Sequence, residues 1–243
     1  MKTKEKFELL YQKIEDRPFT SAIIVAAGNS IRMGKPKIFL DICGVPVITR
    51  SMLALQNAAC VDEIVVAAKE ADLSAITGLA DFYRISKFRI AVTGGETRTE
   101  SVINGTTAIN KKAEYIMVHD AARPLVRPKR VDALCEMAYI KNAATLAVYA
   151  KDTIKRVDPH GKILETLPRE QLMCVQTPQV FKSDIFLPAI KKAAEQHLVF
   201  TDDCSLLESM GETVYALAGD YDNIKITTPE DVAIAESILA SNN

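Results

Sequence analysis

The stretch Ala26-Ala27-Gly28-Asn29-Ser30-Ile31-Arg32-Met33-Gly34-Lys35-Pro36-Lys37 follows directly on an apolar run at residues 22–25. A short strand that runs out into a glycine-bearing, cationic loop is a common way for an α/β sheet to present a phosphate site. Gly28 and Gly34 let the backbone approach a ligand with no Cβ in the way, while Arg32, Lys35 and Lys37 can neutralise a nucleoside triphosphate. Two better-known phosphate loops do not fit. A Walker A loop needs four residues between its glycines and a hydroxyl after its lysine; here five residues separate Gly28 from Gly34, and Pro36 follows Lys35. A dinucleotide fingerprint needs glycine where Ser30 stands. Taken in isolation such a loop reads first as a solvated polar turn, and its position after a buried-looking strand is what argues for a ligand.

Working outward, short apolar runs alternate with longer periodic ones. Residues 63–68, 89–92, 115–119 and 145–149 read as strands, and 47–56, 101–110 and 130–139 as helices between them. This repeated βαβ pattern predicts an α/β fold with a mainly parallel sheet, in which ligands bind beyond the carboxyl ends of the strands. The opening loop and the segment after His119 then share one edge. Ahead of the sheet, Phe7, Leu10, Tyr11 and Ile14 recur at helical spacing, predicting a short amphipathic helix over 4–15 that Pro18 ends.

One segment breaks the alternation. Residues 151–157 and 162–167 are β-prone, polar-rich runs around Asp158-Pro159-His160-Gly161, which reads as a hairpin. An isolated two-stranded ribbon is marginal in water, so the hairpin is expected to pack on a second subunit. Gln176-Thr177-Pro178-Gln179 reads as a polar turn, and 183–197 as a helix capped by Ser183. Another helix starts at Thr201 or Asp202, and the last is marked by Thr228, Pro229 and Asp231.

Composition excludes several classes. With 243 residues and 48% hydrophobic content the chain can bury a full core, and a net charge of −1 gives no overall attraction for nucleic acid or anionic lipid. A small charged ligand fits better. The five cysteines are widely spaced with no metal-ligand pattern, so reduced core thiols are expected. No apolar run reaches membrane-spanning length and the first residues are charged, so the expected location is cytoplasmic, without a membrane partner.

Three further groups of residues can carry chemistry. His119-Asp120-Ala121-Ala122-Arg123-Pro124 sits at a strand end, where Asp120 can bind Mg²⁺ or a ribose hydroxyl and Arg123 can face phosphate; a local ion pair is the plainer alternative. Gly94-Gly95-Glu96-Thr97-Arg98 precedes a helix, so its amides and Ser101 can bind a base or phosphate, or form a simple capped turn. Lys225, in Asp222-Asn223-Ile224-Lys225, stands near another strand end, where a lysine is usually just solvated.

Together these segments resemble the 2-C-methyl-D-erythritol 4-phosphate cytidylyltransferase family of the sugar-phosphate nucleotidyltransferase superfamily, over about residues 20–240. The resemblance rests on seven ordered motifs: the opening loop, GG-E-x-R at 94–98 with Ser101, HDAARP at 119–124, KDTIK at 151–155, QTPQ-x-F at 176–181, TDD at 201–203 and DNIKIT at 222–227. It implies a Rossmann-like three-layer nucleotidyltransferase fold with a twisted sheet and a projecting arm at 151–171, all within a domain over 21–243 and preceded by an extension at 1–20. The implied reaction joins CTP and methylerythritol phosphate to give the diphosphocytidyl product and pyrophosphate, in the non-mevalonate isoprenoid route. By the same resemblance Arg32 and Lys37 would act on the α-phosphate, and Arg169 and Lys225 would position the acceptor. Asp120, Arg123 and Thr153 would complete the acceptor site. Ala26, Ala27, Gly28, Gly95, Arg98, Ser101, Asp120 and Ala121 would bind the nucleotide, and Asp120 with Asp222 would hold Mg²⁺. Thr153 and Arg169 would reach the partner's site in a homodimer.

The loop departs from the family pattern at Ser30, Ile31 and Ile38 and is shorter than in many members. Lys37 rather than Lys35 aligns with the catalytic lysine, because the apolar phase of Ile38, Phe39 and Leu40 follows it. A relative using ribitol 5-phosphate or another polyol phosphate, and a non-catalytic CTP-binding protein, are the two other readings. HDAARP and the VAAG opening favour the first enzyme, and the joint presence of Arg32, Lys37, Arg169 and Lys225 favours catalysis.

Overall fold

A computed structural model describes residues 17–28 and 36–241. The expected N-terminal helix over 4–15, and Arg32 and Lys35 of the opening loop, lie outside the described residues. Strand β1 (Thr20–Val25) lies in the interior of a seven-stranded sheet with β4 (Glu63–Ala68), β5 (Phe88–Thr93), β6 (Tyr115–Asp120), β7 (Ala143–Tyr149), β10 (Met173–Lys182) and β11 (Tyr215–Ala218). The order is β11-β7-β10-β6-β1-β4-β5, and every neighbouring pair is parallel except the two made by β10.

The alternation of side chains explains the three layers. Ala22 and Ile24 of β1 face one core with Ile48, Met52 and Leu55 of α1 (Val47–Gln56), Ile76 of α2 (Leu73–Phe82) and Leu134 of α4 (Pro128–Lys141). Ile23, between them in sequence, faces the other with Val102 of α3 (Arg98–Ala108), Phe186 of α5 (Ser183–Glu195) and Leu207 of α6 (Asp203–Ser209). Successive residues on a strand point to opposite faces, so a strand apolar on both sides must be covered twice. A smaller cluster joins Ile42 and Val47 to Ile226 and Ala235, and so docks α7 (Pro229–Ser241) beside the short hairpin β2 (Asp41–Ile42) and β3 (Val45–Pro46).

Three local expectations are corrected. Residues 176–179 are not a turn but the middle of β10, where the register shifts between Val175 and Gln179. A bulge of this kind accommodates a proline in a sheet interior, and Gln176, Thr177 and Gln179 are all buried there. Ser183 does not cap its helix, since its hydroxyl donates to the Ala113 carbonyl at 2.6 Å. Cys43 and Cys174 are exposed rather than core thiols.

The hairpin is present as β8 (Lys155–Val157) and β9 (Ile163–Thr166), a two-stranded sheet of its own with every residue exposed. Asp158 Oδ1 accepts from the His160 and Lys162 amides, both at 2.9 Å, and Gly161 takes the left-handed φ of +84° that closes the turn.

Candidate active site

In this topology the chain runs outward from β1 to β4 and β5, then returns to place β6 on the other side of β1. The switch point between β1 and β6 opens a crevice at their carboxyl ends. Register places Val25 beside Asp120, so the turn after β1 and the turn after β6 emerge side by side, and Ala121 N–H donates to Val25 O at 3.0 Å. Ala26, Ala27 and Gly28 form one wall of the resulting cleft, and Asp120 and Ala121 another. Gly95, Arg98 and Ser101 close the side beyond β5, while Lys37 and Lys225 bring cations from the remaining edges.

Glycine is required after β5 for space. A Cβ on Gly94 would stand 2.6 Å from Ala27 Cβ, and one on Gly95 would collide with Glu100 Cβ. The turn is both a helix cap and a cleft wall. Thr97 Oγ1 accepts from Glu100 N–H at 3.1 Å, Glu100 Oε2 accepts from the Thr97 amide at 3.1 Å, and Ser101 Oγ accepts from Gly95 N–H at 3.1 Å.

Asp120 is the electrostatic centre. Oδ1 lies 3.2 Å from Arg98 Nε and Oδ2 lies 2.7 Å from Lys225 Nζ. Burial opposes the charged carboxylate, but the cations of Arg98 and then Lys225 overcome it and hold Asp120 well below the usual carboxylate range. Arg98 also approaches Asp203 Oδ2, at 2.8 Å. Burial alone would lower the Arg98 pKa, but the Asp203 and Asp120 charges raise it above its ordinary value.

Beneath this surface Asp120 N–H donates to Thr177 Oγ1 at 2.9 Å. Thr177 Oγ1 also lies 3.1 Å from His119 Nδ1, and His119 Nε2 lies 3.2 Å from Arg123 O. Since a carbonyl only accepts, a proton sits on Nε2; burial favours the neutral ring, and in that form Nδ1 accepts from the Thr177 hydroxyl. Burial lowers the His119 pKa from 6.5 to about 4. The unfolded chain therefore binds the extra proton between these values, so stability is full above the window and falls as pH drops through it. Urea unfolding should show a loss of about 2 kcal/mol from this group between pH 7 and pH 5. His119→Gln should flatten that slope.

The other expected residues lie elsewhere. Arg123 points inward: Nη1 donates to Asn223 O at 2.8 Å, so it clamps the 222–225 segment rather than lining the cleft. Asp222 does not join Asp120, because its carboxylate is held by Arg127 at 2.7 Å. Arg169 lines a separate depression with Tyr149 and Lys151, and its Nη1 donates to Lys151 O at 3.1 Å. Thr153 is exposed on the arm. The residues that sequence reasoning left without roles are Asp203, His119 and Thr177. The sole trace of Asp203 was the TDD string, whose first aspartate is a helix cap, with Asp202 Oδ1 accepting from Ser205 N–H at 3.0 Å.

For a divalent cation the described residues line the cleft with two carboxylates, Asp120 and Glu96, and include no group of three or more His, Cys, Asp or Glu that could hold a metal ion. That donor set is poor for a protein-only cage but fits Mg²⁺, which commonly takes one or two carboxylates together with substrate phosphates.

A mainly parallel α/β sheet with a glycine-walled, cationic cleft at its switch point is the layout of a nucleotidyltransferase. The 2-C-methyl-D-erythritol 4-phosphate cytidylyltransferase (IspD) family profile matches residues 20–241. The chain is 43% identical to the 2-C-methyl-D-erythritol 4-phosphate cytidylyltransferase of Caldanaerobacter subterraneus subsp. tengcongensis, over 90% of this chain and 98% of that one. It is 40% identical to the Halalkalibacterium halodurans enzyme of the same name, over 90% and 96%. The crystal structure of 4-diphosphocytidyl-2C-methyl-D-erythritol synthase from Anaerococcus prevotii superposes with a TM-score of 0.84 at 29% identity, covering 93% of this chain and 98% of that one. The chain belongs to the 2-C-methyl-D-erythritol 4-phosphate cytidylyltransferase family. Among the described residues no helix is long and apolar enough to cross a membrane.

Proposed function

We propose that the protein transfers CMP from CTP to 2-C-methyl-D-erythritol 4-phosphate, giving 4-diphosphocytidyl-2-C-methyl-D-erythritol and pyrophosphate in the non-mevalonate isoprenoid route. The observation that carries this reading is the cleft itself, in a chain of this family. Arg98 and Lys225 pair with Asp120, and Lys37 lines the same cleft, beside the backbone turns of Ala26–Gly28 and Gly94–Gly95.

The acceptor's phosphate oxygen attacks the α-phosphorus; a new P–O bond forms as the bond to the β-phosphate oxygen breaks, and pyrophosphate leaves. The attacking phosphate is already ionised, so it needs positioning and charge stabilisation more than a base. Backbone around Ala26, Ala27, Gly28, Gly95 and Ala121, with Ser101, holds cytosine and ribose. Lys37, with Arg32, stabilises negative charge building on the non-bridging oxygens of the α-phosphate. Lys225 orients the acceptor phosphate. Asp120 would hold Mg²⁺, which would supply positive charge to offset that of the nucleotide phosphates.

A homodimer completes the site. The arm exposes Ile154, Val157, Ile163 and Leu164, an apolar surface on a ribbon that needs a partner, and carries Thr153 and Arg169 away from its own cleft. Five free thiols, two of them exposed, fit a reducing compartment, and the cytoplasm is the proposed location.

The test is CTP-dependent pyrophosphate release with Mg²⁺ and each candidate acceptor. Turnover with methylerythritol phosphate is expected; turnover only with ribitol 5-phosphate or another polyol phosphate would reassign the acceptor, and none with any of them would remove the enzymatic reading. In the same assay Lys37→Ala should lower the rate by about a hundredfold or more, the cost of one preorganised donor, while Lys35→Ala should change it much less. The reverse result would realign the loop.

A further inference from the structure

Arg98 is held between two carboxylates from separate elements, Asp120 at the end of β6 and Asp203 at the start of α6. Its Nε meets Asp120 Oδ1 at 3.2 Å and its Nη2 meets Asp203 Oδ2 at 2.8 Å. Asp203 is buried and outside the cleft, at the start of α6. Gln179 fixes that start from the sheet: Oε1 accepts from Asp203 N–H at 3.0 Å, and Nε2 donates to Asp202 Oδ2 at 2.9 Å. Asp203 Oδ2 makes no aligned hydrogen bond in its buried site; burial pushes the carboxyl pKa above its ordinary value, and the Arg98 charge it faces at 2.8 Å is what favours its ionised form.

The arrangement bears on Asp120. Two cations, Arg98 and Lys225, touch that single carboxylate. Without a second anion the three groups would carry a net charge of +1, which opposes a metal. With Asp203 present the four groups sum to zero, and one end of the Arg98 guanidinium is engaged away from the cleft. We propose that Asp203 is a positioning residue which draws Arg98 toward itself and so keeps the Asp120 carboxylate available to a divalent cation when the nucleotide enters. This rests on the reading of Asp120 as the residue that holds the cation.

The experiment is calorimetric CTP binding across a Mg²⁺ series, on the full chain. Asp203→Asn should raise the Mg²⁺ concentration for half-maximal CTP binding by about tenfold or more, as loss of an outer partner of a metal ligand commonly does. CTP affinity without Mg²⁺ should not fall. A lowered melting temperature with an unchanged Mg²⁺ requirement is what a merely structural aspartate gives, and overturns the proposal. Because Asp203 acts only through Arg98, Arg98→Gln/Asp203→Asn should match Arg98→Gln alone. That double variant removes both charges and leaves neither buried and unpaired, so the comparison stands even if the single aspartate variant does not fold; a further shift in the double overturns the proposal. If the parent protein binds CTP with no dependence on Mg²⁺, the reading of Asp120 falls and this inference with it. Normal dependence in the parent with no change in Asp203→Asn removes the inference alone.

Discussion

Asp120→Asn is expected to lower CTP-dependent pyrophosphate release by about a thousandfold, at the upper end of what removing one preorganised electrostatic group costs. The side chain is nearly isosteric, so the loss isolates charge. Asp120 is only 11% exposed and meets two cations, at 3.2 and 2.7 Å. As asparagine it would offer Mg²⁺ a neutral amide oxygen and leave Lys225 without its anion. The protein should still fold. Arg98 keeps Asp203 at 2.8 Å, and the side chain of Lys225 is 42% exposed, so water screens it. Breaking the pairs should cost about 1–2 kcal/mol, well inside the stability of a domain this size. Since Arg98 and Lys225 hold Asp120 well below the usual carboxylate range, the group is ionised at any pH where the enzyme is assayed, and acidifying the parent to pH 5 should not imitate the variant. A rate within tenfold of the parent, measured on protein with an unchanged circular dichroism spectrum, would remove Asp120 from the metal and phosphate machinery.

The sheet was legible where apolar runs were short and local. The 63–68 strand and the 47–56 helix have the bounds expected from periodicity, because burial on both faces leaves an uninterrupted Glu63–Ala68 run and a helix must alternate its polar and apolar sides. The antiparallel β10 was not legible. Its centre carries Gln176, Thr177, Pro178 and Gln179, residues that locally favour a turn, and only tertiary pairing with β6 and β7 makes them a buried strand. Their polar groups are satisfied at long range: Gln179 by the start of α6, and Gln176 by the Asp220 carbonyl at 2.9 Å.

The site divides in the same way. Turns at the ends of β1, β5 and β6 were visible as small residues after strands, and they do share one cleft. Which cation pairs with which acid was not visible, since nothing local distinguishes Arg98, which faces Asp120, from Arg123, which turns inward to the Asn223 carbonyl. Asp222 looked as suitable a ligand as Asp120, and only folding brings Arg127 to within 2.7 Å of it.

Two variants that are each inactive, Lys37→Ala and Arg169→Ala, should together regain about a quarter of the parental specific activity when their subunits are exchanged at equal amounts. The expectation follows from where one chain puts these residues. Lys37 lines the cleft with Asp120 and Lys225, whereas Arg169 stands in a separate depression at the root of the arm. If the arm of one subunit completes the cleft of its partner, a mixed dimer has one site lacking both groups and one site lacking neither. Random exchange makes about half of the dimers mixed, each with one working site of two, which gives the quarter. The arm has reason to reach across: Val157, Ile163 and Leu164 are each more than half exposed on a two-stranded ribbon that the described residues of its own chain do not cover. Subunits carrying different affinity tags would verify the exchange. Mixed dimers isolated through both tags should show about half of parental activity; if they are as inactive as the two starting variants, Arg169 acts within its own chain or not at all.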